Sequence, residues 1–185
     1  VLEREVLRAR IPHYIEGGLD TLCASGQVVW IGDGALGKDV RVRLYLREHV
    51  GLLHEAKPPI DDPMCARIRN LLRERGSLFF EEFEHEVTGF SGSVVDALWR
   101  LVRNGEVSND TLLPLRSMRR TASKSSRRVR RGRSRPRMMS NRMRAKGTQG
   151  RWWLVETCFK EEFDETERVL AKASATVSYT HLTLP

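Results

Sequence analysis

Thirty-one consecutive residues, Arg116 to Lys146, hold 14 Lys or Arg and no Asp or Glu. The run is rich in Arg and Ser, contains one Pro and has almost nothing to bury. Such a composition cannot offset the entropy of ordering its backbone, so the run is expected to be disordered in the free chain. Whatever folds must be built from the residues on either side. The run also locates the charge: the whole chain is +8, which leaves everything else at −6. The positive charge is a local patch and not a property of the folded parts.

The 185 residues are enough for one ordinary domain or two small ones. No apolar run approaches the about 20 residues of a membrane span. The opening Val1-Leu2-Glu3-Arg4-Glu5 is charged, lacks the apolar stretch of a signal peptide and has no initiator Met. The chain therefore reads as beginning inside a longer one. Cys23, Cys65 and Cys158 are odd in number and widely spaced, which predicts neither a disulfide framework nor a zinc site. A reducing, cytoplasmic location is expected.

Before the basic run, Glu3 to Arg10 reads as a short helix ended by Pro12. Leu19 to Ser25 reads as a second, with Leu19, Leu22 and Cys23 on one face and Gly26 as a left-handed stop. Val28 to Ile31 is a buried type of strand, and Gly32 to Asp39 a Gly-rich turn. Val40, Val42, Leu44 and Leu46 alternate with Arg41, Arg43, Tyr45 and Arg47, the period of a half-exposed strand. His54 to Pro63 is a linker, in which Asp62 can cap a helix with Pro63 at its first position. That helix runs to Arg75 with Ile68, Leu71 and Leu72 inward, and Gly76 stops it. Ser77 to Val87 reads as a short second helix, Thr88-Gly89-Phe90 as a turn, and Gly92 to Asn104 as a third helix capped by Ser91. Val94, Val95, Leu98, Leu101 and Val102 form its apolar stripe. Val107 to Leu115 and Trp152 to Val155 read as extended, on either side of the basic run.

Helix, helix, turn, helix and hairpin in that order are a winged helix, with the third helix as recognition element. The expected fold class is α+β, with one partial and one complete winged-helix unit and a long disordered wing insertion. The partial unit covers 1–53, the linker 54–63 and the complete unit 64–155, with the insertion at 116–147. Residues 156–176 read as the start of a following helical segment, with a helix from Glu165 to Ala175. The two units form a weak internal repeat: setting Gly26 on Gly105 brings Leu19 over Leu98, Leu22 over Leu101 and Val28 over Val107.

No catalytic, cofactor-binding or metal-ligating residue is assigned. Gly32-Asp33-Gly34-Ala35-Leu36-Gly37-Lys38 matches the start of a phosphate-binding loop, but Asp39 stands where Ser or Thr is needed, and a strand follows instead of a helix. The residues read as a hairpin turn. Glu81 to Glu86 places neighbouring carboxylates on different sides of a helix, a solvated face. The stronger signal is the basic run. Arg127, Arg128, Arg130, Arg131, Arg133, Arg135 and Arg137 can neutralise phosphates and release counterions. On the third helix Ser93, Arg100 and Arg103 can add backbone contacts, while Asp96 opposes a uniformly anionic partner. Trp30, Trp99, Trp152 and Trp153 can stack on bases, although core packing is expected for Trp99 and for at least one of the adjacent pair.

Leu19 to Gly32, Gly76 to Phe80, Asp96 to Trp99, Gly105 to Thr111 and Gly150 to Val155 together resemble the large helicase-related (Lhr) family, over about Glu3 to Val155. The resemblance implies a parent that is a superfamily 2 ATP-dependent DNA helicase tracking 3′ to 5′ in DNA repair. This chain corresponds to its motor-distal tandem winged-helix region. ATP and Mg²⁺ belong to the motor domains, whose motifs are missing here, so no cofactor is expected for this chain. The implied role is an accessory module that guides or clamps DNA. Its partners would be single-stranded or duplex DNA or an RNA:DNA hybrid, and the upstream motor domains, with no membrane. The alternatives are a winged-helix DNA glycosylase, for which Gln27 and Gln149 are too far apart to form the paired-Gln motif, a winged-helix transcription regulator, and a protein-packing surface. Residues 177–185 resemble translated sequencing adapter and are given no structural meaning.

Overall fold

The computed structural model describes residues 7–36, 39–87, 91–117, 147–159 and 163–181. The first part contains α1 (Arg8–Arg10), α2 (Gly18–Ala24), β1 (Val28–Leu36), β2 (Asp39–Leu46), a 3-10 turn (Arg47–His49) and α3 (Val50–Leu53). Next come α4 (Pro63–Arg75), β3 (Leu78–Phe79), α5 (Phe80–Glu86), α6 (Ser91–Asn104), β4 (Val107–Asn109) and β5 (Arg151–Leu154). A 3-10 turn (Val155–Cys158) leads to α7 (Glu165–His181).

The helix start at Asp62 is as the sequence predicts. Its carboxylate accepts the Cys65 N–H at 2.9 Å, and Pro63 occupies the first turn, where no N–H is needed. The predicted stops also hold. Gly26 (φ 75°) and Gly105 (φ 83°) are both left-handed. In each the following N–H reaches back five residues, Gln27 to the Leu22 carbonyl and Glu106 to the Leu101 carbonyl, both at 3.0 Å. The two helix ends therefore share one cap geometry. Burial differs between them: Leu101 is fully buried in a helix packed on α4 and α5, whereas Leu22, on one face with the buried Leu19 and Cys23, is 40% exposed.

α4, α5 and α6 with a three-stranded antiparallel sheet of order β3-β5-β4 make a winged helix. Three predicted elements differ. Ser77 to Val87 is not one helix: Leu78 and Phe79 form β3 by pairing with Trp152 and Arg151, and the helix starts at Phe80. Glu82 then turns back to accept the Phe79 N–H at 2.8 Å. The extended run from Val107 ends at Asn109, and residues 113–117 are helical. α7 continues past Ala175 to His181, so residues 177–181 do have a helical backbone.

The expected turn from Gly32 to Asp39 is also corrected. β1 runs on to Leu36, with a register irregularity between Gly32 and Ala35, and Asp39 begins β2. The tip, residues 37–38, lies outside the described residues, as does the predicted turn 88–90. Both faces of β1 are buried: Val29, Trp30 and Ile31 are each at most 2% exposed. The alternation of β2 does not decide its burial, because Leu44 and Leu46 are 36% and 48% exposed while Tyr45 packs inward.

Burial on both faces of β1 has one cause. Leu19, Cys23 and Trp30 belong to the same apolar core as α4, α5, α6, β4 and β5. Trp30 Nε1 donates to the Thr111 carbonyl at 3.0 Å, and Ser108 Oγ donates to the Trp30 carbonyl. The linker is bound as well. Glu106 accepts the Ile60 N–H at 3.0 Å and pairs with Arg69 at 2.7 Å, both side chains being almost buried. A smaller core of Val29, Ile31, Val50 and Val155 lies on the other face of β1.

Candidate nucleic-acid interface

The wing is anchored where the basic run joins it. Asn109 Oδ1 accepts from the Thr111 N–H (2.9 Å), and its Nδ2 donates to the Gln149 carbonyl (3.1 Å). Asp110 accepts from the Arg151 N–H (2.8 Å) and Nε (3.0 Å). Asp20 of α2 accepts the Leu112 N–H at 3.2 Å and pairs with Arg116 at 2.6 Å, so the helical residues 113–117 are tied to the first part of the chain. A Cβ added to Gly147 would lie 3.3 Å from Ser117 Oγ. Ser117 and Gly147, which flank 118–146, therefore approach each other at one point of the wing. Arg127, Arg128, Arg130, Arg131, Arg133, Arg135 and Arg137 fall within that segment, outside the described residues.

The other predicted contacts lie along one face of α6. Ser93 is exposed and Arg103 half-buried. Arg100 is exposed but not idle: its Nη1 is 2.7 Å from Asp62 Oδ2. The Cys65 N–H and then the Arg100 guanidinium hold the Asp62 carboxyl down at about 2. Asn104 is spent on the Pro58 carbonyl and Glu106, at 2.9 and 2.8 Å. Val94, Ala97, Leu98, Trp99, Leu101 and Val102 form the buried face of α6, which packs on β1 as well as α4, while Asp96 is exposed beside the predicted contacts.

Three of the four tryptophans are core residues. Trp30 and Trp152 are fully buried, and Trp99 is 6% exposed and packs edge-on against Trp152 at 5.9 Å. Trp153 is half-buried, and the Arg47 guanidinium lies 5.1 Å from its ring centre. Sequence reasoning did not single out Arg47. It sits in a regular alternation, and its aromatic partner is more than a hundred residues away. The pair lines a groove of about 330 Å³ between α2 and the wing, with Ser25, Ser77, Asp110 and Arg151.

On the opposite side of β1, Asp33 is held between Lys57 (3.2 Å) and Arg43 (2.9 Å), with its carboxyl lowered by both. His54 is buried there, edge-on to Tyr45 and stacked on Phe159 at 6.2 Å. Burial, with Lys57 next, lowers its pKa. In the acidic stretch of α5, Arg75 bridges Glu82 and Glu86, and Glu81 and Glu84 are exposed. The near-match to a phosphate loop has a packing role. A Cβ on Gly32 would lie 1.9 Å from the Val102 carbonyl oxygen, so the glycine lets β1 touch the end of α6.

A wing hairpin, a three-helix body and a basic run rooted on the wing define a winged-helix domain of an α+β class. The winged-helix domain of large helicase-related proteins matches residues 1–47. An Escherichia coli protein described as "Lhr helicase/uracil glycosylase" is 32% identical over 196 aligned positions, covering 92% of this chain and 12% of that protein. A Mycolicibacterium smegmatis protein described as "Lhr helicase/ probable uracil glycosylase" is 31% identical over 164 positions, covering 82% of this chain and 11% of its own length. The chain is thus similar to large helicase-related proteins, by the family's winged-helix domain at its start and by both relatives over most of its length. It spans about an eighth of the relative from E. coli and a ninth of the other. Among the described residues no helix is long and apolar enough to cross a membrane.

Proposed function

We propose that this chain is a nucleic-acid-binding accessory module of an ATP-dependent 3′ to 5′ DNA helicase, guiding or clamping DNA beside the motor domains. The observation that carries the reading is the root of the basic run: Ser117 and Gly147, which approach each other on the wing, bracket 13 cationic side chains in sequence. Winged helices meet the nucleic-acid backbone with their wing and third helix. Arg127, Arg128, Arg130, Arg131, Arg133, Arg135 and Arg137 supply the main phosphate contacts. Ser93, Arg100 and Arg103 add weaker ones, since Arg100 must first leave Asp62. Residues 1–53 and 64–155 serve as a partial and a complete winged-helix unit, joined by 54–63. ATP and Mg²⁺ act at the motor domains of the whole, cytoplasmic protein. The test is binding of labelled single-stranded and duplex DNA as a function of salt. Loss of affinity on raising salt is expected, and salt-independent or undetectable binding contradicts the reading.

A second reading is favoured by one observation, the words "uracil glycosylase" in the descriptions of both relatives. In that reading the chain contributes part of the DNA-binding surface of a base-excision enzyme. Release of uracil from a uracil-containing strand by the chain alone supports it, and a strand that stays intact under saturating binding conditions opposes it.

A further inference from the structure

We propose that the groove between the C-terminal end of α2 and the wing seats one phosphodiester of an unpaired DNA strand, with Arg47 as the anion-binding residue and Trp153 as the platform that holds it. This rests on the nucleic-acid reading above.

What its charge faces sets Arg47 apart from six other arginines. Arg43, Arg69, Arg73, Arg100, Arg116 and Arg151 each have a carboxylate partner within 4.0 Å. Arg47 has none among the described residues, and its guanidinium lies over the Trp153 ring instead. A guanidinium held through its π face keeps its in-plane N–H donors for a planar or tetrahedral anion. The pair is also preorganised. The Arg47 N–H donates to the Gln27 carbonyl at 2.9 Å, closing the base of the first hairpin. Trp153 packs against the core of Val29, Ile31, Val50 and Val155. An anion here would therefore meet a cation whose position is already fixed.

The setting fits a nucleic-acid strand. Among the described residues Asp110 is the one carboxylate lining the groove, and Arg151 already binds it through two donors. Asp110 and Arg151 also belong to the root of the wing, so the groove opens beside the point where residues 118–146 enter. Ser25, Ser77 and Thr157 also line the groove, the hydroxyls of Ser25 and Thr157 donating to the Leu22 and Leu154 carbonyls. About 330 Å³ admits one nucleotide of an unpaired strand and excludes a duplex.

The experiment is fluorescence-anisotropy binding of a labelled oligothymidylate by the full chain, by Arg47→Gln and by Arg47→Lys, each at several salt concentrations. Urea unfolding of each variant serves as the folding control. For Arg47→Gln the account expects about a tenfold loss of affinity, that of one charge-assisted contact. It also expects the salt slope to become shallower by about 0.7, one phosphate in a single strand. Arg47→Lys keeps the charge but not the planar fork, so it should keep the slope and lose part of the affinity. If Arg47→Gln does not fold, Arg47→Lys decides, and affinity equal to the unaltered chain overturns the proposal. If the unaltered chain binds and a folded Arg47→Gln binds with the same affinity and slope, the groove assignment is wrong and the accessory role stands. If the unaltered chain does not bind, both fail.

Discussion

Gly32 lies against the carbonyl of Val102 so closely that a Cβ would sit 1.9 Å from its oxygen. Seventy residues of sequence separate the two, and the contact joins the first hairpin to the third helix of the winged-helix body. Gly105, at the end of the same helix, reciprocates: a Cβ there would lie 3.0 Å from the Gly32 carbonyl. The residues that most resemble a nucleotide loop thus form a packing joint between two backbones.

Gly32→Ala should destabilise the chain by about 3 kcal/mol, the upper end of overpacking, because the obstructing atom is backbone and cannot rotate away. Urea denaturation followed by tryptophan fluorescence measures it. A loss below about 0.5 kcal/mol, the usual scale of surface changes, would contradict the joint.

Glu106 holds the linker to α4 through Ile60 and Arg69. Glu106→Gln leaves the nearly buried Arg69 without its counter-charge and should cost about 3 kcal/mol. The same variant should increase amide exchange at Ile60 more than in α7. Unchanged exchange at Ile60 would show that the linker is held by something else.

His54 predicts an acid limb in stability. Burial disfavours its charged form, so its pKa in the fold is below the ordinary 6.5. The unfolded chain then binds more protons in that range, and stability falls as pH drops through about 6.5 towards the folded value. Lys57 and Arg43 reinforce the effect, while Asp33 and Glu55 oppose it. His54→Phe keeps the packing against Tyr45 and Phe159 and should flatten the melting temperature between about pH 6.5 and 5. An acid limb that survives the substitution assigns it to another group.

Local signals were readable where a residue acts on its own neighbours. Asp62 with Pro63, Gly26, Gly105 and the apolar stripe of α6 are all legible, since each works within one helical turn. β3 was not legible, because two residues become a strand only by pairing with Trp152 and Arg151. The burial of both faces of β1 was hidden for the same reason: Trp30 finds its partners at Ser108 and Thr111. In the candidate interface the basic run and the third helix were visible as composition and period. The Asp62–Arg100 pair and the Arg47–Trp153 stack were not, because they exist only once distant segments meet.

Removing residues 118–146 tests the proposed function most directly. The deletion is geometrically mild, because Ser117 and Gly147 already approach each other. Binding to duplex DNA is measured for the full and shortened chains from low to moderate salt. If five of the cationic side chains touch phosphates, log K of the full chain falls with log salt at a slope of about −4.5. The account predicts that the shortened chain, folded by its unfolding midpoint, binds more weakly and with a slope much closer to zero. An unchanged affinity and slope in the shortened chain would contradict it.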